Sequence, residues 1–172
     1  LIAYALRRTL EKGGQFILLG SHPSPEVAAF FQELYREFHG HAQVAILLNK
    51  DEALAHLIFA AADLFLMPSL FEPCGLTQLI AQRYGTIPLA RMTGGLVDTV
   101  FDVETSSKPL KERNGFTFDY PDTAGIDWAL DRALHCFAND PSTWHRLMTI
   151  GMNKDWSWKV EAPKYVAVYD KL

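Results

Sequence analysis

At 172 residues, 49% hydrophobic and 21% charged, the chain is long enough for one domain with a sizeable core. A net charge of −4 carries no nucleic-acid footprint, and no apolar run reaches the ~18 residues of a membrane span. Two cysteines, Cys74 and Cys136, make no disulfide framework and fit a reducing compartment.

The opening Leu-Ile-Ala-Tyr-Ala-Leu-Arg-Arg has no initiator methionine and no signal-peptide pattern. It reads as the inside of a helix, so a fragment of a longer protein is expected. Ile2, Leu6 and Leu10 recur at helical spacing across Leu1 to Lys12, with Arg7, Arg8, Glu11 and Lys12 outward. Gly13-Gly14 stops that helix. Gln15 to Leu19 reads as a buried strand ending at Gly20-Ser21. Pro25 opens a helix to Phe38, with Val27, Phe30, Phe31, Leu34 and Phe38 inward. Val44 to Leu48 is another apolar strand, and Asp51 caps a helix over Glu52 to Ala61.

The stretch Ala62 to Thr77 organises the rest. Leu64, Phe65, Leu66 and Met67 form the apolar run of a central parallel strand covered on both faces, and Pro68 ends it. After Phe71, Glu72, Pro73, Cys74 and Gly75, a helical pattern runs from Leu76 to Tyr84, and Gly85 closes it. In an open parallel sheet, ligands bind where strand ends meet helix starts. The amides of Gly75, Leu76 and Thr77 are then free donors suited to phosphate, and Gly75 admits close backbone approach. Glu72 sits just ahead of them, and a carboxylate accepts hydrogen bonds from sugar hydroxyls. By pattern alone, Glu72 serves equally well as an acid that complements the helix dipole.

Ile87 to Ala90 is a short strand, Thr93-Gly94-Gly95 a second glycine turn, and Leu96 to Phe101 a short helical piece. Glu104 to Arg113 reads as a surface loop, Asn114-Gly115 as a turn and Phe116 to Phe118 as a strand. Helices follow over Thr123 to Ala138, Ser142 to Met152 and beyond Ser157. Alternating strands and helices followed by terminal helices predict an α/β fold with a doubly wound parallel sheet over 1–152 and a C-terminal helix over 153–172. The six histidines show no zinc-like spacing, so no metal is expected.

Ser69-Leu-Phe-Glu-Pro-Cys-Gly-Leu-Thr-Gln78, followed by Arg91-Met-Thr-Gly-Gly-Leu-Val-Asp-Thr99, resembles the C-terminal half of starch synthases and bacterial glycogen synthases. The similarity extends to the C-terminus. It implies the Rossmann-like C-terminal half of a GT-B glycosyltransferase that transfers glucose from ADP-glucose to the non-reducing end of an α-1,4-glucan, with retention. No cofactor beyond the donor is implied, and the compartment would be plastid stroma or bacterial cytoplasm. In this resemblance Glu72 contacts the donor glucose and is needed for activity. The backbone of Gly75, Leu76 and Thr77, beside Cys74, holds the distal phosphate. Thr93, Gly94 and Gly95 form the second wall, and Gly20 and Ser21 lie near the nucleoside. Lys50 stands where the family usually has a tyrosine that stacks on adenine, so its alkyl stem or ammonium would cover the base.

Cys74 at a helix start invites a nucleophile reading. With no histidine at a motif-like spacing, packing or positioning is the expected role. Asp98 is read as a surface or capping residue. Trp156, Trp158, Tyr165 and Tyr169 are read as core packing of the terminal helix rather than a sugar platform. In the family this helix crosses back to an N-terminal, acceptor-binding domain, so some of these rings are expected to stand exposed in the isolated chain. That domain and a phosphate-gripping Arg and Lys lie ahead of Leu1, so the isolated chain is expected to be inactive. Two alternatives stand: a transferase using another nucleotide sugar, and a non-catalytic glucan-binding or scaffolding paralogue.

Overall fold

A computed structural model describes residues 1–21 and 24–171. Helices α1 (Ile2–Glu11), α2 (Pro25–Phe38), α3 (Glu52–Ala61) and α4 (Thr77–Arg83) alternate with strands β1 (Phe16–Leu19), β2 (Val44–Leu47), β3 (Leu64–Met67) and β4 (Ile87–Arg91). Two 3₁₀ turns, Gly94–Asp98 and Leu110–Glu112, lead to β5 (Phe116–Phe118). Helices α5 (Thr123–Asn139), α6 (Pro141–Asn153) and α7 (Trp158–Tyr169) end the chain. Leu172, at the end of the expected terminal segment, lies outside the described residues.

Several boundaries follow directly from capping chemistry. The Ser24 hydroxyl accepts from the Val27 amide at 3.4 Å, with Pro25 opening α2. Asp51 accepts from the Leu54 amide at 2.9 Å, as its position predicts. Asp140 accepts from the Thr143 amide at 3.0 Å, so α6 starts at Pro141 instead of Ser142.

Among the described residues every strand pairing is parallel, and the strand–helix alternation is the expected doubly wound, Rossmann-like α/β arrangement. The hydrogen bonds nevertheless fall into two ladders, β1–β2 and β3–β4–β5. Phe16 pairs with Val44 in the first; Leu64 pairs with Ile87, and Leu89 with Phe116, in the second. Among the described residues no ladder joins β1 to β3.

The main core lies on the three-stranded ladder. Ile87, Leu89, Phe116 and Phe118 pack with Ile126, Ala129 and Ala133 of α5 and Trp144 and Leu147 of α6. Each large apolar side chain fully buried there contributes ~1.5–3 kcal/mol. The two-stranded ladder has a smaller cluster of Leu6, Leu34 and Ile46. Phe16 packs against both.

Four expectations need correction. Leu64, Phe65 and Leu66 are half-buried rather than fully covered: Leu64 and Leu66 pack on the main core and Phe65 on the cluster of Met67 and Leu96, and β3 is the outer strand of its ladder rather than a central one. Phe30 is 47% exposed, outside the inner stripe of α2, whose buried anchor is Leu34. The helical piece after the second glycine turn is a 3₁₀ turn ending at Asp98. The terminal aromatics are not core: Trp158 is 71% exposed, Tyr165 and Tyr169 are also exposed, and Trp156 is half-buried. The apolar residues of α7 lie all round the helix, so no single stripe meets the core, and the rings of Trp158 and Tyr165 face each other at 5.9 Å.

Candidate functional site

The site is built where β3 and β4 end. Met67 is buried at the end of β3, and Pro68 turns the chain into a loop reaching Leu76. Arg91, the last residue of β4, fixes that loop. Its guanidinium donates to the carbonyls of Ser69 at 3.2 Å and Leu70 at 2.8 Å, and to Asp119 beyond β5 at 3.1 Å. One planar cation with several donors thus ties three strand ends together.

The two glycine turns meet backbone to backbone. The Gly95 amide donates to the Glu72 carbonyl at 3.0 Å. A Cβ at Gly94 would fall 1.9 Å from the Glu72 carbonyl oxygen, and one at Gly95 would fall 2.2 Å from that of Cys74. No side chain fits at either position. Gly75 is left-handed, with φ of 70°, which is easy only for glycine.

The Glu72 carboxylate is half-buried and accepts from the Ser69 hydroxyl at 3.3 Å. Its remaining acceptor capacity is open. The amides of Gly75, Leu76 and Thr77 have no acceptor among the described residues. Leu76 and Thr77 are exposed, and the Thr77 hydroxyl reaches the Met67 sulfur at 4.0 Å. Thr93 is half-buried, its amide donating to the Arg91 carbonyl at 2.9 Å. The Cys74 thiol is free and exposed, so what packs at this residue is its backbone against Gly95. Asp98 is exposed. A carboxylate thus stands beside a row of unpaired amides on a loop pair too tight to admit side chains.

Gly20, Ser21 and Lys50 follow the ends of β1 and β2, and all three are exposed. The Gly20 amide donates to the Leu47 carbonyl at 3.1 Å. Among the described residues no hydrogen bond joins these three to the glycine turns. The structure therefore brings Glu72, Cys74, Gly75, Leu76 and Thr77 together with Thr93, Gly94 and Gly95. It leaves Gly20, Ser21 and Lys50 in the other ladder. Among the described residues no three His, Cys, Asp or Glu side chains group as a metal site.

The sequence profile of the glycosyl transferases group 1 matches residues 3–144. The chain belongs to this family. Over its whole length this glycosyltransferase chain is 46% identical to a glycogen synthase of Protochlamydia amoebophila, of which it covers 34%. It is 49% identical over 99% of its length to a probable starch synthase 4 of Arabidopsis thaliana, of which it covers 16%. The chain thus spans about a third or less of the curated relatives it matches. The solved catalytic domain of starch synthase IV from Arabidopsis thaliana, bound to ADP and acarbose, superposes with a TM-score of 0.93. The identity there is 49%, covering 99% of this chain and 34% of that one. The fold is that of the Rossmann-like C-terminal half of the GT-B architecture, and the resemblance to starch and glycogen synthases holds along the chain.

Beneath the two glycine turns lie groups that sequence reading passes over. Gln78 and Gln82 of α4 are fully buried, as is Asn114 beside them. Their signal was present: two glutamines four apart share a helix face that also carries buried Ala81. Asp102 is also buried and pairs with Arg132 of α5, contacts at 2.5 and 3.2 Å. Burial by itself raises the Asp102 carboxyl. Arg132 and the amides of Thr105, Glu104 and Thr117 overcome that and bring it down to about 2. The pair anchors the loop behind the site to α5.

Proposed function

We propose that this chain is the donor-binding domain of a retaining glucosyltransferase that carries glucose from ADP-glucose to the non-reducing end of an α-1,4-glucan in starch or glycogen synthesis. The carrying observation is the 49% identity, at a TM-score of 0.93, with a starch synthase structure bound to ADP and acarbose. The conjunction of Glu72 with unpaired amides supports it on chemical grounds.

In this reading Glu72 accepts hydrogen bonds from the donor glucose. The amides of Gly75, Leu76 and Thr77 hold the distal phosphate. Thr93, Gly94 and Gly95 close the second side, Gly20 and Ser21 approach the nucleoside, and Lys50 covers the adenine. Negative charge grows on the leaving phosphate as the glycosidic bond breaks. Fixed donors at that oxygen stabilise the transition state without reorganisation. A front-face displacement suits a site with no carboxylate pair of the glycosidase type among the described residues. An N-terminal domain of the full-length protein would bind the glucan and exclude water from the cleft. The compartment is plastid stroma for a plant source and bacterial cytoplasm for a bacterial one.

Calorimetric titration with ADP and UDP tests this. ADP binds more tightly than UDP, and Glu72→Ala leaves ADP binding within about twofold, since that side chain serves the sugar. Equal or tighter UDP binding sinks the assignment of the donor. If the affinity of this chain is below detection, an N-terminally extended chain decides. The isolated chain turns over no ADP-glucose; turnover by it contradicts the reading.

Lys50 favours a second reading, a glucan-binding paralogue without tight donor binding. Lys50→Tyr separates the two. A catalytic protein gains ADP-glucose affinity from a stacking ring, whereas a scaffold gains no turnover.

A further inference from the structure

Three bonds join the two glycine turns from below. Gln78 Nε2 donates to the Gly75 carbonyl at 2.8 Å and also to Thr99 Oγ1 at 3.1 Å. Thr99 Oγ1 in turn donates to the Gly95 carbonyl at 2.9 Å. The relay thus runs from the first turn, through a fully buried amide and a hydroxyl, into the second turn. Its base is fixed as well. The Thr99 carbonyl accepts from Asn114 Nδ2 at 3.0 Å and Gln82 Nε2 at 3.4 Å, and the Asn114 Oδ1 accepts from the Phe101 amide at 2.7 Å.

The orientation of the Gln78 amide follows from its partners, because a carbonyl accepts only from a donor. That leaves Gln78 Oε1 buried with no partner among the described residues. A buried amide oxygen without a partner disfavours a glutamine in a packing role alone. What the side chain contributes at this position is its nitrogen.

The consequence reaches the surface through peptide geometry. The Gly75–Leu76 peptide is trans, so a carbonyl held inward directs the Leu76 amide the opposite way, toward solvent. That amide is one of the unpaired donors assigned above to phosphate. We infer that Gln78 and Thr99 are positioning residues, a buried relay that aims the first turn's donor and locks its distance from the second turn. The inference rests on the donor-site reading for its purpose, though the coupling between the turns stands on the bonds alone.

Thr99→Val keeps the shape and removes the hydroxyl; Thr99→Ser keeps the hydroxyl. Amide resonances of Leu76 and Gly95 are followed in both, with ADP affinity measured by calorimetry. In Thr99→Val both resonances move, although Leu76 is remote in sequence, and ADP binds about tenfold more weakly. In Thr99→Ser both resonances return, and affinity is within twofold of the parent. A merely structural threonine would lower stability without this paired movement. If the Leu76 resonance stays in place in Thr99→Val, or if Thr99→Ser behaves like Thr99→Val, the relay is overturned. Gln78→Met, similar in volume but without the donor, tests the same coupling from its other end: both resonances move, or the relay is wrong. Should the parent chain and its extended form fail to bind ADP, the donor-site reading falls, and the paired resonances still decide whether the relay exists.

Discussion

The two ladders are made of similar strands in dissimilar surroundings. In the three-stranded one, Ile87, Leu89 and Ala90 of β4 are all but inaccessible, and Phe116 and Phe118 extend the same layer. In the two-stranded one, Ile17 of β1 is 48% exposed, and the buried set is Leu6, Leu34 and Ile46. The strands of the open ladder are wholly apolar in sequence, whereas those of the covered one include Arg91 and Thr117. A short apolar run reports the demand for cover, while the neighbours decide whether cover is present. The glycine turns and Glu72 belong to the covered ladder; Gly20, Ser21 and Lys50 belong to the open one. The part of the site assigned to phosphate and sugar is therefore held by a packed core, and the part assigned to the base is not.

The sharpest way to break this contrast is truncation of one phenylalanine on each side. Phe116→Ala opens a cavity in the main core and costs about 3–5 kcal/mol. Phe30→Ala, on the outer face of α2, costs under about 1 kcal/mol. Denaturant unfolding measures both. Similar losses would mean that Phe30 is enclosed as tightly as Phe116. Overpacking comes next. Gly95→Ala puts a methyl carbon against the Cys74 carbonyl, which is backbone and cannot turn aside. It costs about 3 kcal/mol, the upper part of the usual range for overpacking, and separates the two turns. A melting temperature unchanged by Gly95→Ala would show that the loops are not in contact.

How much of this could be read in advance follows the range of the interactions. Pro25 and Asp51 announce their helices because helix-start signals act within three residues, whereas the Ser24 cap ahead of Pro25 was not read in advance. The strands, their parallel sense and both glycine turns were legible from runs and punctuation. Contacts of long sequence separation were not. Arg91 holds Ser69 and Leu70 from 22 and 21 residues away, and Arg132 meets Asp102 from 30. No local pattern encodes such a pairing. The 3₁₀ turn at Gly94–Asp98 escaped for a different reason: Leu96 and Val100 are spaced as in an α-helix, but Val100 lies beyond the turn, whose two glycines pack against the Glu72 and Cys74 carbonyls.

Acid gives the next effect. The Asp102 carboxyl titrates at about 2 in the folded chain against 3.8 when unperturbed. A depressed pKa of this kind stabilises the fold above pH ~4, and the contribution is lost as pH falls from there toward 2. It amounts to roughly 2 kcal/mol. Asp102→Asn removes that acid dependence while leaving Arg132 with Glu104 as its ionic partner. Stability is measured against pH in parent and variant. An unchanged acid limb in Asp102→Asn would place the sensitive carboxylate elsewhere. Because Asp102 holds Thr117 of β5, the loss is confined to the three-stranded side, and amide exchange in β4 and β5 should accelerate before that in β1 and β2 changes.

The smallest effect belongs to Gly40, at the turn before β2. Its φ is 80°, yet nothing lies within 4 Å of where a Cβ would stand. Gly40→Ala therefore meets no clash and faces only the strain of a left-handed backbone, ~1–2 kcal/mol. Alanine also narrows the unfolded ensemble, which returns about 0.4–1 kcal/mol. The net loss is about 1 kcal/mol, within a range of roughly 0 to 1.6. Gly95→Ala, at a glycine with no left-handed φ, has the reverse composition: no backbone strain and a hard contact. If Gly40→Ala cost as much as Gly95→Ala, the turn before β2 would be as tightly enclosed as the glycine loops. If it costs a third as much, the turn before β2 is open where the glycine loops beside Glu72 are closed.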